Sequence, residues 1–326
     1  MESGFHFNHF PPIPKNTLPN SLTLSPFRTV ACQSLADDFY SNLIDWSGDK
    51  IFYCENNTVF QYNFHTDSYI KVFEDSSINV CSLKCMKQSD TLVIGCSSGI
   101  LICLDLGSLK STRHMFHRGR ISAIEIIENR VLTGSRDRKV KMIDFRSKSP
   151  EKSYSFHMQE VCGISVNNDK RFVGTGGNDN KIIVLDFRKD DTYYKKLEEH
   201  KAAVKALSWS PLYSTKFISG GGTADKTLKQ WDINLETSLQ QSMCFESQIC
   251  NVKWLENDKI LSTFGYSNDD IKLLNDFQVE KVFLGHKNRV IHFAVDDKEE
   301  FFVSGSGDSN INIWKIDEKE REIIVR

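Results

Sequence analysis

The stretch Gly220-Gly221-Gly222-Thr223-Ala224-Asp225-Lys226-Thr227-Leu228-Lys229-Gln230-Trp231-Asp232 decides the fold. A glycine-rich strand end runs into a polar turn at Asp225. The chain then crosses six residues and reaches a large apolar side chain followed by an acid. The figure recurs along the whole sequence. Turns at Asn56, Ser98, Asp137, Asp179, Asp225, Asn268 and Asp308 lead, six residues on, to Tyr62, Leu104, Ile143, Leu185, Trp231, Leu274 and Trp314. Successive turns are separated by 42, 39, 42, 46, 43 and 40 residues.

A period near forty is the signature of a WD-repeat β-propeller. Each repeat makes a four-stranded blade that cannot bury its faces alone and must stack on its neighbours around a ring. Seven repeats predict an all-β, seven-bladed propeller over residues 31–316, with a flexible N-terminal segment, 1–30, and a short tail, 317–326. Length alone suggests two domains, but a closed ring shares one continuous set of sheet interfaces and counts as one. The N-terminal segment holds most of the seven prolines and reads as extended and unpaired.

Histidines precede four of the turn acids: His117 with Asp137, His157 with Asp179, His200 with Asp225, His286 with Asp308. Such pairs resemble catalytic dyads, but they recur at the repeat period and so are dispersed around the ring. They are expected to be buried hydrogen-bond networks completed by a hydroxyl and, where present, the strand Trp. Trp231 and Trp314 keep that indole donor; Ile143, Leu185 and Leu274 do not, so their blades must rely more on packing. Gly174-Thr175-Gly176-Gly177 and Gly220-Gly221-Gly222-Thr223 look like phosphate cradles, yet neither carries the Walker lysine spacing or opens a helix.

The bulk composition points to no special chemistry. A net charge of −2 gives no reason to expect a nucleic-acid partner, and no apolar run is long enough to span a bilayer. The nine cysteines are scattered, several within strand-like runs, as expected of small buried hydrophobes in a reducing compartment; Cys81 and Cys85 lack a second ligand pair at zinc spacing. Neither a metal nor another cofactor is expected.

Several segments are more particular than a generic propeller. Asp37-Asp38-Phe39-Tyr40-Ser41-Asn42-Leu43-Ile44-Asp45-Trp46-Ser47, Gly134-Ser135-Arg136-Asp137-Arg138, Gly176-Gly177-Asn178-Asp179-Asn180-Lys181, Glu199-His200-Lys201-Ala202-Ala203-Val204-Lys205-Ala206-Leu207 and Ser247-Gln248-Ile249-Cys250-Asn251 occur in this order. Over about residues 26 to 316 the chain resembles the Fizzy and Fizzy-related family, the substrate-recruiting coactivators of the anaphase-promoting complex, a cell-cycle ubiquitin ligase. The resemblance implies a non-enzymatic adaptor of nucleus and cytoplasm. Its partners would be subunits of that complex, degron-bearing substrates such as cyclins and securin, and mitotic checkpoint proteins. The alternative from the repeats alone is a general WD-repeat scaffold for another assembly.

By the same resemblance, the receptor for a Lys-Glu-Asn (KEN) degron falls on Asp45, Asn178, Asn180, Thr223, Gln248 and Arg289. That set offers the carboxylate, guanidinium, amides and hydroxyl which a cation, an anion and an amide require. Asp38 matches one acid of the destruction-box groove between the first and last blades; the partner acid appears here as Ser309. For ligase docking, Asn8-His9-Phe10-Pro11-Pro12-Ile13-Pro14 keeps Phe10, Ile13 and Pro14 of the family's N-terminal box, and Val325-Arg326 stands where the family ends in Ile-Arg. Without the resemblance, Ile323-Ile324-Val325-Arg326 reads as the closing strand of the ring ahead of a docking tag; the resemblance reverses that order.

Overall fold

A computed structural model describes residues 22–317, apart from 88, 145–148, 190 and 191. Its strands form seven sheets, and the sequence order within them is a repeated meander. Blades one to five run Ile44–Glu74, Val80–Met115, Ile121–Tyr154, Val161–Leu197 and Val204–Cys244. Blade six is built on Gln248–Phe283 and blade seven on Val290–Lys315. All seven positions six residues after the turns are buried, from 0% exposure at Ile143, Trp231, Leu274 and Trp314 to 2% at Tyr62. The strand Phe172–Gly177 is buried at every residue because both its faces are covered by neighbouring blades. Just after six of the turns a residue sits at positive φ: Asn57, Gly99, Arg138, Asn180, Lys226 and Ser309. The expected turns are therefore tight reversals that need the left-handed region.

The histidine networks form as the repeat demands. In blade five, His200 Nδ1 donates to Asp225 at 2.7 Å, Ser219 Oγ donates to His200 Nε2 at 2.7 Å, and Trp231 Nε1 donates to Ser219 Oγ at 2.7 Å. Blade seven repeats the chain through His286, Asp308, Ser304 and Trp314. Blades three and four keep His, Asp and a threonine, with Thr133 and Thr175 at 2.8 and 2.9 Å from the histidine Nε2. Their missing indole is replaced by Ile143 and Leu185, packed in apolar clusters.

Ring closure differs from the expected boundary. The sheets reach back to Leu22, nine residues before the anticipated start at 31. Leu22–Leu24 adds to blade six as a fifth strand, parallel to Gln278–Phe283. The chain then crosses to blade seven, where Arg28–Ala31 pairs antiparallel with Asn310–Lys315 as its outermost strand. That closing position, one of two readings for the C-terminal Ile323–Arg326, is thus filled from the N-terminal side. The last nine residues lie outside the described part.

The innermost strands share a further device. In blades two to seven the register slips at one point near the start of the strand, leaving Cys81, Ser122, Cys162, Lys205, Cys250 and Ile291 unpaired with the next strand. A bulge of this kind re-aims a residue. Six at equivalent positions make a collar around the axis.

Candidate functional site

The collar holds a plug. Residues 37–42, which precede the first strand of blade one, cross the mouth of the ring and touch every other blade. Asn42 N donates to Cys81 O at 2.9 Å in blade two, and Asn42 Nδ2 to Ser122 O at 3.2 Å in blade three. Phe39 packs with Cys250 and Ile291 of blades six and seven. Lys205 of blade five donates to Ser41 O at 2.8 Å and Ile291 O at 3.0 Å, with its ammonium 5.6 Å from the Phe39 ring centre. Burial without a carboxylate partner pulls the Lys205 amine down to about 8.

Two of the mouth residues, Arg289 and Asn178, meet on this plug. Arg289 donates from Nε to Asp37 Oδ1 and from NH2 to Asp37 O, both at 2.9 Å, and stacks 4.3 Å from the Tyr266 ring centre. Gly265 makes room for it: a β-carbon there would lie 2.6 Å from Arg289 Cγ. Tyr40 OH donates to Asn178 Oδ1 at 2.7 Å, and Asn178 Nδ2 to Gln159 Oε1 at 2.8 Å. Thr223 Oγ1 donates to the buried Gln248 Oε1 at 3.2 Å, joining blades five and six. Asn180 supplies the left-handed turn position beside Asn178, φ 65°. Asn178, Thr223, Gln248 and Arg289 therefore share one face, with Asn180 at its margin.

Asp45 does not join them. It lies deeper along the innermost strand of blade one, is 5% exposed, and accepts from Lys84 Nζ at 3.1 Å and from Cys85 N at 2.7 Å. Its carboxylate clamps blade one to blade two and is fully engaged. The acid at the mouth is Asp37, whose side chain is 48% exposed beside Arg289. Asp37 and Tyr40 are the members that the sequence reading left out; both lie in the segment Asp37–Ser47 that it quoted.

Asp38 is likewise displaced from its expected place. It points toward blade three, where Arg120 NH1 donates to it at 2.8 Å, while Arg120 is also gripped by Glu160 at 2.5 and 2.9 Å and lies 4.7 Å over the Tyr40 ring. The seam between the first and last blades is lined instead by Glu55 of blade one, 9% exposed, which accepts from the Gln33 amide just past the outermost strand of blade seven; within that last blade Ser309 O accepts from Cys32 N at 3.1 Å. Burial raises the Glu55 carboxyl above the usual range, opposed by the Gln33 amide. Phe10, Ile13, Pro14, Val325 and Arg326 lie outside the described residues.

Charged groups of both signs ring the mouth. Asp37, Asp269 and Asp308 gather near blades six and seven, where burial and then the neighbouring acids raise the Asp269 carboxyl. Arg118, Arg120 and Arg136 line the blade-three side. In a seven-fold ring these are opposite sides.

Comparison with known proteins agrees with this architecture. The CDC20/Fizzy WD40 domain family matches residues 31–314. The chain is 32% identical over 305 residues to Protein FIZZY-RELATED 2 of Arabidopsis thaliana, covering 91% of this chain and 63% of that one. It is also 32% identical over 303 residues to APC/C activator protein CDH1 of Saccharomyces cerevisiae, covering 91% and 53%. The chain thus spans less than two thirds of the length of these relatives. A chain in the crystal structure of a mitotic checkpoint complex shares the fold, with a TM-score of 0.86 at 24% identity over 90% of this chain and 96% of that one. Matched along nearly the whole ring, the chain belongs to the CDC20/Fizzy family of WD40-domain proteins.

Proposed function

We propose that this propeller is a substrate-recruiting, activating subunit of an anaphase-promoting complex and that its mouth binds KEN-type degrons. The observation that carries the reading is a set of polar groups on one face: Asp37 with Arg289 and Tyr40 with Asn178 on the plug, and the exposed Thr223 bonded to the buried Gln248 between blades five and six. A Lys-Glu-Asn peptide offers a cation to Asp37, an anion to Arg289 and an amide to the Asn178 and Thr223–Gln248 groups. The propeller acts as an adaptor. It raises the local concentration of substrate at the ligase, and ubiquitin transfer is left to other subunits. Ligase docking falls to Phe10, Ile13 and Pro14 and to Val325 and Arg326. Checkpoint proteins carrying the same peptide chemistry would compete for the mouth.

Fluorescence anisotropy with a labelled Lys-Glu-Asn peptide tests the receptor. Asn178→Ala with Arg289→Ala removes one hydrogen-bonded amide and one charge-assisted contact, together about 2–4 kcal/mol, so affinity drops by at least about thirtyfold. Undiminished binding by a folded double variant would remove the site. Co-purification tests the assembly: ligase subunits should follow the full chain and be lost when Val325 and Arg326 are deleted. Recovery of some other complex in their place would favour a general scaffold.

A further inference from the structure

Beside the plug, on the same face, lies a pocket of about 840 Å³ over blades one to three that the degron reading leaves unused. Its walls carry Arg118, Arg120 and Arg136 and the amides of Asn56, Asn57 and Asn79, over a floor that includes Leu43 and Val80. The three arginines are not equivalent. Arg120 is saturated by Asp38 and Glu160. Arg118 and Arg136 are exposed and have no ion-pair partner among the described residues. The one other acid on the wall, Asp137, is occupied by the His117 ring and by the amides of Arg118 and Lys139. Its carboxyl is held well below the usual range: burial opposes this, but the hydrogen bond from His117 and the two amides outweighs it. Its oxygens are thus directed at His117 and the two amides and form no ion pair with Arg118 or Arg136.

We infer that this pocket binds an anionic side chain, a phosphorylated residue or a carboxylate, carried by the same peptide whose Lys-Glu-Asn core occupies the mouth. The inference rests on the degron reading for the peptide's position. Contact is continuous from one site to the other: Asn178 to Tyr40, the Tyr40 ring to Arg120, and Arg120 to Asp38 on the pocket wall. Two free guanidiniums flanked by amides provide planar, multi-donor recognition of a carboxylate or phosphate. Polarity sets direction, with the peptide cation near Asp37 and the added anion over blade three.

The test compares labelled peptides that share the Lys-Glu-Asn core. One has neutral flanks, two carry glutamates before or after the core, and two carry phosphoserine at those places. One of the anionic positions should bind about tenfold more tightly than the neutral peptide, with the gain shrinking as salt rises. Arg118→Gln with Arg136→Gln should erase that gain with no fall in the thermal midpoint, since both side chains are exposed. A larger gain with phosphoserine assigns the pocket to modified substrates, and a larger gain with glutamate to acidic ones. If the neutral peptide binds and no anion improves it, or the gain survives in the double variant, the pocket assignment is overturned. If the neutral peptide itself fails to bind, the degron reading fails instead.

Discussion

Replacing Lys205 by methionine probes how the plug is held. The folded protein keeps this ammonium out of water with two carbonyl acceptors and no counter-charge, and its pKa falls from the ordinary 10.5 to about 8. At 1.36 kcal/mol per unit, burying the charged form costs about 3 kcal/mol relative to burying the neutral amine. The depressed value fixes the sign. Below about pH 8 both folded and unfolded chains carry the proton and the penalty is fully present. Between about 8 and 10.5 the unfolded chain binds more protons than the folded one, so stability rises with pH. Methionine removes the penalty but leaves Ser41 O and Ile291 O without a donor, at about 1–3 kcal/mol, so the two proteins should be nearly matched at pH 7. Urea unfolding at half-unit steps from pH 7 to 10 measures the difference. Wild type minus Lys205→Met should grow by about 2 kcal/mol across that range. Taking the difference matters because buried thiols such as Cys162 and Cys250, raised by burial, lower stability at high pH in both proteins. Parallel curves would refute the account of Lys205 as a buried, uncompensated cation.

Asp225→Asn should flatten the acid limb of unfolding. Despite burial, the His200 hydrogen bond lowers the Asp225 carboxyl to about 2, so its contribution is present above the unfolded value of 3.8 and lost as pH falls through about 2. An unaltered acid midpoint would count against this. Trp231→Phe removes the indole donor to Ser219 and leaves a void, with an expected loss of about 2–3 kcal/mol in urea titrations. Gly265→Ala drives a β-carbon against Arg289 and should weaken Lys-Glu-Asn binding in anisotropy while leaving the ring folded; full affinity would show that Arg289 can yield. Deleting residues 1–31 strips the outer strands from blades six and seven, so the thermal midpoint should fall and aggregation through the bared edges should rise.

Blade number, turn positions and the histidine networks were legible because they repeat: the turn rule read in blade five could be checked in six other places, and the histidine rule in three. What does not repeat was harder to see. Leu22–Leu24 and Arg28–Ala31 are strands of three and four residues in a proline-rich segment, with no alternation long enough to mark them. Their pairing comes from partners near the other end of the chain. The acid of the mouth was misassigned for a related reason. Asp37, Asp38 and Asp45 sit in one short stretch, and nothing local says where the plug ends and the strand begins. The collar decides that by taking up the main chain of Ser41 and Asn42, after which Asp45 is committed to Lys84. Glu55 went unnoticed because a carboxylate beside a turn ordinarily reads as solvated. The basic wall is visible in Gly134-Ser135-Arg136-Asp137-Arg138, but Arg136 stands apart from its neighbours only once Asp137 is known to be occupied.

The way the last blade is completed also sets a clock. Thr29 meets Asn312, 283 residues later in the chain, so the opening segment emerges from the ribosome long before anything exists for it to join. At roughly 5–20 residues per second, it waits about 15–60 s with its strand-forming groups unsatisfied. During that interval the nascent protein is an open arc with raw ends. Whatever shields it then, whether a folding helper or the brevity of the exposed strands themselves, governs yield in the cell as much as final stability does.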